Sequence, residues 1–116
     1  MEIINTNIKD KKQLFRVTHA QRVEKMQDLV GQTIDPASGY CLYKETDTVD
    51  EETGEVKEKL VFSVIVGDRV YGTISKTFLS AISDILSIFD ESDDWKITIG
   101  ANTSRNGRQF IYAEIV

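Results

Sequence analysis

The stretch "EKLVFSVIVGDRVYGTI" constrains the fold more than any other part of the chain. Two runs rich in β-branched and aromatic residues, 60–66 and 70–74, meet there across Gly67-Asp68. Gly followed by Asp suits the two-residue type II′ turn of a tight β-hairpin. With residues 67 and 68 as the loop, paired positions sum to a constant, which sets Val66 opposite Arg69, Val64 opposite Tyr71 and Phe62 opposite Thr73. Alternation then sorts two faces. One carries Val61, Ile65, Val70 and Ile74 around the small Ser63 and Gly72, and is expected to face the core. The other carries Phe62, Val64, Val66, Arg69, Tyr71 and Thr73, and is expected to be a mixed aromatic, cationic and hydroxyl surface.

Downstream, Phe78, Ala81, Ile82, Ile85, Leu86 and Phe89 follow the spacing of an amphipathic helix, with Ser75 as its natural N-cap. The run "DESDD" separates this helix from "WKITIG", where Trp95, Ile97 and Ile99 alternate with Lys96 and Thr98 as in a strand. A loop over 101–108 follows, in which Asn106-Gly107 tolerates positive φ. The chain then closes on "QFIYAEIV", a strand with Ile111, Ala113 and Ile115 on one side and Phe110, Tyr112 and Glu114 on the other. Upstream, "GYCLYKETD" and "KEKLVFSVIV" are predicted strands joined by an acidic connection turning at Thr53-Gly54. Periodicity is weaker before residue 27: "LFRVTHA" fits a strand, and "AQRVEKMQDLV" fits a helix or an irregular arm.

Length and composition bound the function. The 116 residues, 41% of them hydrophobic, suffice for one core, and the division expected is an N-terminal arm or extension over 1–26 and one domain over 27–116. No long apolar run or signal-peptide pattern is present, so a soluble cytoplasmic protein without membrane contact is expected. Cys41 has no partner for a disulfide, and with His19 as the one histidine there is no metal set, so neither metal nor cofactor is expected. The six carboxylates between 47 and 58 lack the order of a calcium loop and fit a solvated hairpin tip. The formal charge of −5 divides into +3 over 1–26, −10 over 27–94 and +2 over 95–116, so both ends are basic and the middle is acidic.

Strand, strand, strand, helix, strand, strand is the order of a five-stranded OB-fold barrel, all-β with one helix between strands three and four. In that fold oligonucleotides lie across strands two and three, between the loops joining strands one to two and four to five. The second and third strands here carry Phe62, Arg69 and Tyr71, and the fourth-to-fifth loop is the basic "NTSRNGRQF". Under this mapping Arg105 and Arg108 meet phosphates, while Asn102, Ser104 and Asn106 hydrogen-bond the nucleic-acid backbone. Phe62, Tyr71, Phe110 and Tyr112 are then stacking platforms.

"VYGTISKTFLSAISDI", "NTSRNGRQFIYAEIV" and "GQTIDPASGYCLYKETD" together resemble the single-stranded DNA-binding proteins of bacteriophages of Gram-positive bacteria, particularly the small protein-primed replicators. The likeness covers roughly 27–116. It implies an OB-fold protein that coats displaced strands during replication, without sequence preference and without chemistry. It also implies DNA contact at Tyr71, Lys76, Arg105 and Tyr112, which match its motif positions. Chromosomal bacterial proteins of this function end in an acidic tail that recruits partners, whereas "AEIV" is an apparent strand, so tail-mediated recruitment is not expected. The basic surplus of 1–26 fits either an extension of the DNA track or self-association. An acidic module binding a protein partner through the carboxylates of 47–58 and 90–94 is the competing reading. An enzyme is the weakest one, because no nucleophile-base pair, phosphate loop or metal set is present.

Overall fold

The computed structural model describes residues 1–90 and 92–116. Strands dominate it, with two α-helices. In chain order the elements are β1 (Glu2–Thr6), α1 (Lys11–Thr18), β2 (Glu24–Lys25), β3 (Thr33–Ile34), β4 (Tyr40–Val49), β5 (Val56–Val66), β6 (Arg69–Thr73), α2 (Lys76–Ile88), β7 (Ile97–Thr103) and β8 (Gln109–Ile115). They form a five-stranded sheet, β1-β4-β5-β6-β2, and a three-stranded sheet, β3-β7-β8. No helix among the described residues is long and apolar enough to cross a membrane.

The β5–β6 hairpin has the predicted register, with Val66 opposite Arg69, Val64 opposite Tyr71 and Phe62 opposite Thr73. Gly67 sits at φ +65°, and no non-glycine residue among those described has positive φ, the pattern a type II′ turn requires at its first central position. The face expected to be core meets a small core, and the face expected to be a surface meets the main one. Phe62 and Val64 are fully buried in the main core with Phe78, Ile82, Trp95, Ile97 and Ile99. Val61 belongs to a smaller cluster with Ile8, Val17, Cys41 and Tyr43, against which Ile65 and Val70 pack, while Ile74 is exposed. The reason is that both faces of this sheet are covered: α1 packs on one through Leu14 and Val17, and α2 with the second sheet packs on the other. Alternation separates two faces but does not say which one meets the larger core.

From β4 onward the predicted order of elements is observed. The single-helix, five-stranded barrel is not. "LFRVTHA", expected as a strand, lies in α1, which starts at Asp10, whose carboxylate accepts the Lys12 N–H at 2.9 Å. The ladders do not close, because the outer edge of β6, which would have to meet β8, carries β2 in parallel instead. The sheets are joined by continuity of chain: β3 pairs with β7, β4 pairs with β5, and a short 3₁₀ turn over Pro36–Ser38 lies between.

The first residues are integral to this corner. β1 pairs along β4, Asn7 Oδ1 accepts the Tyr40 N–H at 2.8 Å, and the Asn7 amide donates to Pro36 O at 2.9 Å. Thr6 donates its hydroxyl to Tyr40 O at 2.6 Å. In α2 the position of the cap is as expected and its mechanism is not: Ser75 makes no side-chain cap bond, and its N–H donates to Thr73 Oγ1 at 3.0 Å.

Candidate nucleic-acid interface

β7 and β8 form a hairpin whose inner row is Ile97, Ile99, Ile111 and Ala113, all buried. Its other row pairs Thr98 with Glu114, Gly100 with Tyr112 and Asn102 with Phe110. Tyr112 lies across Gly100 so closely that a Cβ there would overlap the ring's Cζ. Glycine opposite tyrosine thus lets the phenol ring lie against the strand backbone, half-buried.

The loop is tighter than the sequence indicated, because β7 runs through Thr103 and only 104–108 turn. Gly107 donates its N–H to Ser104 O at 2.9 Å and adopts φ +78°, and the Ser104 N–H donates to Arg108 O at 2.8 Å. Arg105, Asn106 and Arg108 are exposed on this turn. Neither guanidinium has a carboxylate partner among the described residues. Asn102 lies on the strand, and its Oδ1 accepts the Thr103 N–H at 2.8 Å.

Phe110, half-buried, lines a groove of about 450 Å³ with Ala101, Gln109, Gln27, Val30 and Ser75. The residues flanking Ser75, Ile74 and Lys76, line a second groove of about 540 Å³ together with Lys57, Lys59 and Leu79. The two linings thus include consecutive residues, 74–76, where β6 gives way to α2. Lys59 is partly occupied, with Glu45 at 3.4 Å and Asp47 at 3.9 Å, a half-exposed pairing of the kind worth little in water.

The expected site residues separate into groups. Arg105, Arg108, Phe110 and Tyr112 share the β7–β8 hairpin, and Lys76 lines the second groove. Arg69 is exposed beside the β5–β6 turn. Tyr71 is half-buried, packs on the main core and pairs with Val64 and Glu24. Phe62 is excluded as a stacking platform: it is 0% exposed, with its ring between Tyr40 at 6.0 Å and Phe78 at 5.9 Å. Sequence reasoning missed Gln27, Val30, Lys57 and Lys59 as groove residues; the alternating Lys57-Glu58-Lys59 at the start of β5 was the available signal.

The acidic connection between β4 and β5 is an ordered tip. Asp50 Oδ1 accepts the Glu52 N–H at 2.9 Å, and this hydrogen bond, with one from the Thr53 backbone, holds its carboxyl below the usual range. In the run 90–94, the hydroxyl and N–H of Ser92 hold the Asp90 carboxyl low in the same way, and Glu91 lies outside the described residues.

A family model described as phage single-stranded DNA-binding protein matches residues 5–115. No curated protein and no solved structure gives a significant match.

Proposed function

The chain belongs to the phage single-stranded DNA-binding protein family, and from that premise we propose that it coats displaced single strands during phage replication in the host cytoplasm, without sequence preference and without catalysis. The observation that carries this reading is the juxtaposition, on one hairpin, of a tyrosine ring laid over Gly100 and two guanidiniums with no carboxylate partner among the described residues. Stacking accepts any base because every base has a π-face, and cations that meet phosphates carry no sequence information. Both properties favour coating over site recognition.

In this reading Tyr112 and Phe110 stack bases, Arg105 and Arg108 hold the flanking phosphates, and the strand continues past Ser75 toward Lys76 and Lys57. Arg69 and Tyr71 lie on β6, beyond the same turn, and Tyr71 is half-buried. This path runs between the two loops that bind oligonucleotides in OB folds. β3 and β4 then act as one first strand bent at 35–39, which makes the architecture an open relative of the OB barrel.

The test is a set of affinities for a poly-dT oligonucleotide. Tyr112→Ala is expected to weaken binding by about 1 to 3 kcal/mol, the range for one stacked base. Arg105→Ala is expected to reduce the dependence of log K on log salt by about 0.7, one phosphate contact on a single strand. Unchanged affinity in both variants, with the wild-type protein binding, moves the interface off this hairpin.

A further inference from the structure

Helix α1 covers the small core through Leu14 and Val17, and its outer surface has a composition that this packing does not require. Lys11, Phe15 and His19 follow one another at intervals of four, and Lys12 and Arg16 form the adjacent row. Phe15 is 63% exposed, and its ring stacks on the His19 imidazole at 4.2 Å with 11° between the planes. The imidazole is held in turn, with Nδ1 2.8 Å from Thr18 Oγ1. The result is a preformed two-ring plate in water beside three cations. A shallow depression of about 340 Å³ is lined by Lys11, Lys12, Phe15 and Arg16.

Two of those cations stand where they oppose the helix. The first turn contains Lys11 and Lys12 and no acidic residue, so positive charge lies at the positive end of the helix dipole. Asp10 offsets this only as the N-cap. A bound anion removes the conflict, and an aromatic plate among such cations matches a base flanked by phosphates.

We infer that the outer face of α1 is a second contact for single-stranded nucleic acid, with a base stacked on Phe15 and flanking phosphates held by Lys11, Lys12 and Arg16. The inference rests on the single-strand reading above and extends it to the opposite side of the five-stranded sheet. A long strand held at Tyr112 reaches this face by passing around the sheet edge, which lengthens the stretch of DNA each molecule covers.

The experiment uses the full chain carrying Phe15→Trp as a reporter, since the native Trp95 is only 8% exposed. Titration with a dT oligonucleotide of about 20 nucleotides, longer than the sites of about 4 to 16 nucleotides covered by one OB fold, is expected to quench the new tryptophan. In the otherwise native chain, Phe15→Ala and the pair Lys12→Glu with Arg16→Glu are expected to weaken binding of that oligonucleotide by about fivefold or more, with thermal melting unchanged. Three results overturn the inference. An unquenched reporter and unchanged affinity in these variants, alongside a loss in Tyr112→Ala, leave the single-strand reading standing and remove this contact. Variants that alter the sedimenting mass but not DNA affinity make the face a contact between copies of the chain. Absence of DNA binding by the wild-type protein removes both readings together.

Discussion

Phe62 and Tyr112 are both strand aromatics, yet their surroundings give them different work. Phe62 lies with no exposure between Tyr40 and Phe78, so Phe62→Ala opens a cavity and is expected to cost about 3 to 5 kcal/mol, read as a lowered urea midpoint. Tyr112→Ala should change the unfolding free energy by no more than about 1 kcal/mol, the scale of a cross-strand pair, and act on DNA affinity instead. Gly100→Ala tests the positioning of the same ring. The added methyl would meet Cζ and the hydroxyl, the far end of the side chain, so the ring swings away and DNA binding falls while Tyr112 is retained. Cys41 gives a prediction of another kind. Burial pushes its thiol from 9.0 up to about 11, with the Thr6 hydroxyl opposing in part. The native thiol is therefore expected to resist a disulfide reagent at pH 8 and to react on unfolding. The raised folded value means that this contribution to stability is complete below pH 9 and is lost as pH climbs toward 11. Burial raises the Tyr43 phenol in the same direction. Cys41→Ala should remove part of the alkaline fall in a pH series of urea midpoints.

At the scale of elements, β1 and the residues after it secure the corner between the two sheets. Deleting residues 1–9 removes the β1–β4 ladder and the bonds from Thr6 and Asn7 to Tyr40 and Pro36. At about 1 kcal/mol for each side-chain bond, the loss from these alone is about 3 kcal/mol, and the uncovered β4 edge should promote association visible by light scattering. The β5–β6 hairpin was legible because a two-residue loop fixes every pair once Gly67-Asp68 is recognised. Its faces were not, since a sheet covered on both sides shows apolar residues in both rows. α1 escaped because eight residues give barely two turns, and Phe15 on the outer surface disguises the inward period of Leu14 and Val17. Of the candidate site, Arg105, Arg108, Phe110 and Tyr112 were legible as neighbours on one hairpin. The grooves were not, because Gln27, Val30 and Ser75 in one, and Lys57 and Leu79 in the other, come together only through tertiary packing.

For the whole molecule, net charge and binding surface point in different directions, and local arrangement decides. The chain carries −5 overall, yet its basic ends contribute α1 and the Arg105 loop, while the carboxylates of 47–58 are gathered near the β4–β5 tip. Along the path the cations stand beside carboxylates, with Asp47 and Glu58 lining the same groove as Lys57, Lys59 and Lys76, so affinity depends on a few phosphate contacts and on stacking. The direct test is anisotropy of a labelled dT oligonucleotide, first single-stranded and then annealed to its complement, titrated with the wild-type protein at low and high salt. The account predicts binding to the single strand alone, weakening with salt at a slope of about −2 to −3.5 for about three to five phosphate contacts. Equal affinity for the duplex, or binding to the single strand that salt leaves unchanged, would contradict it.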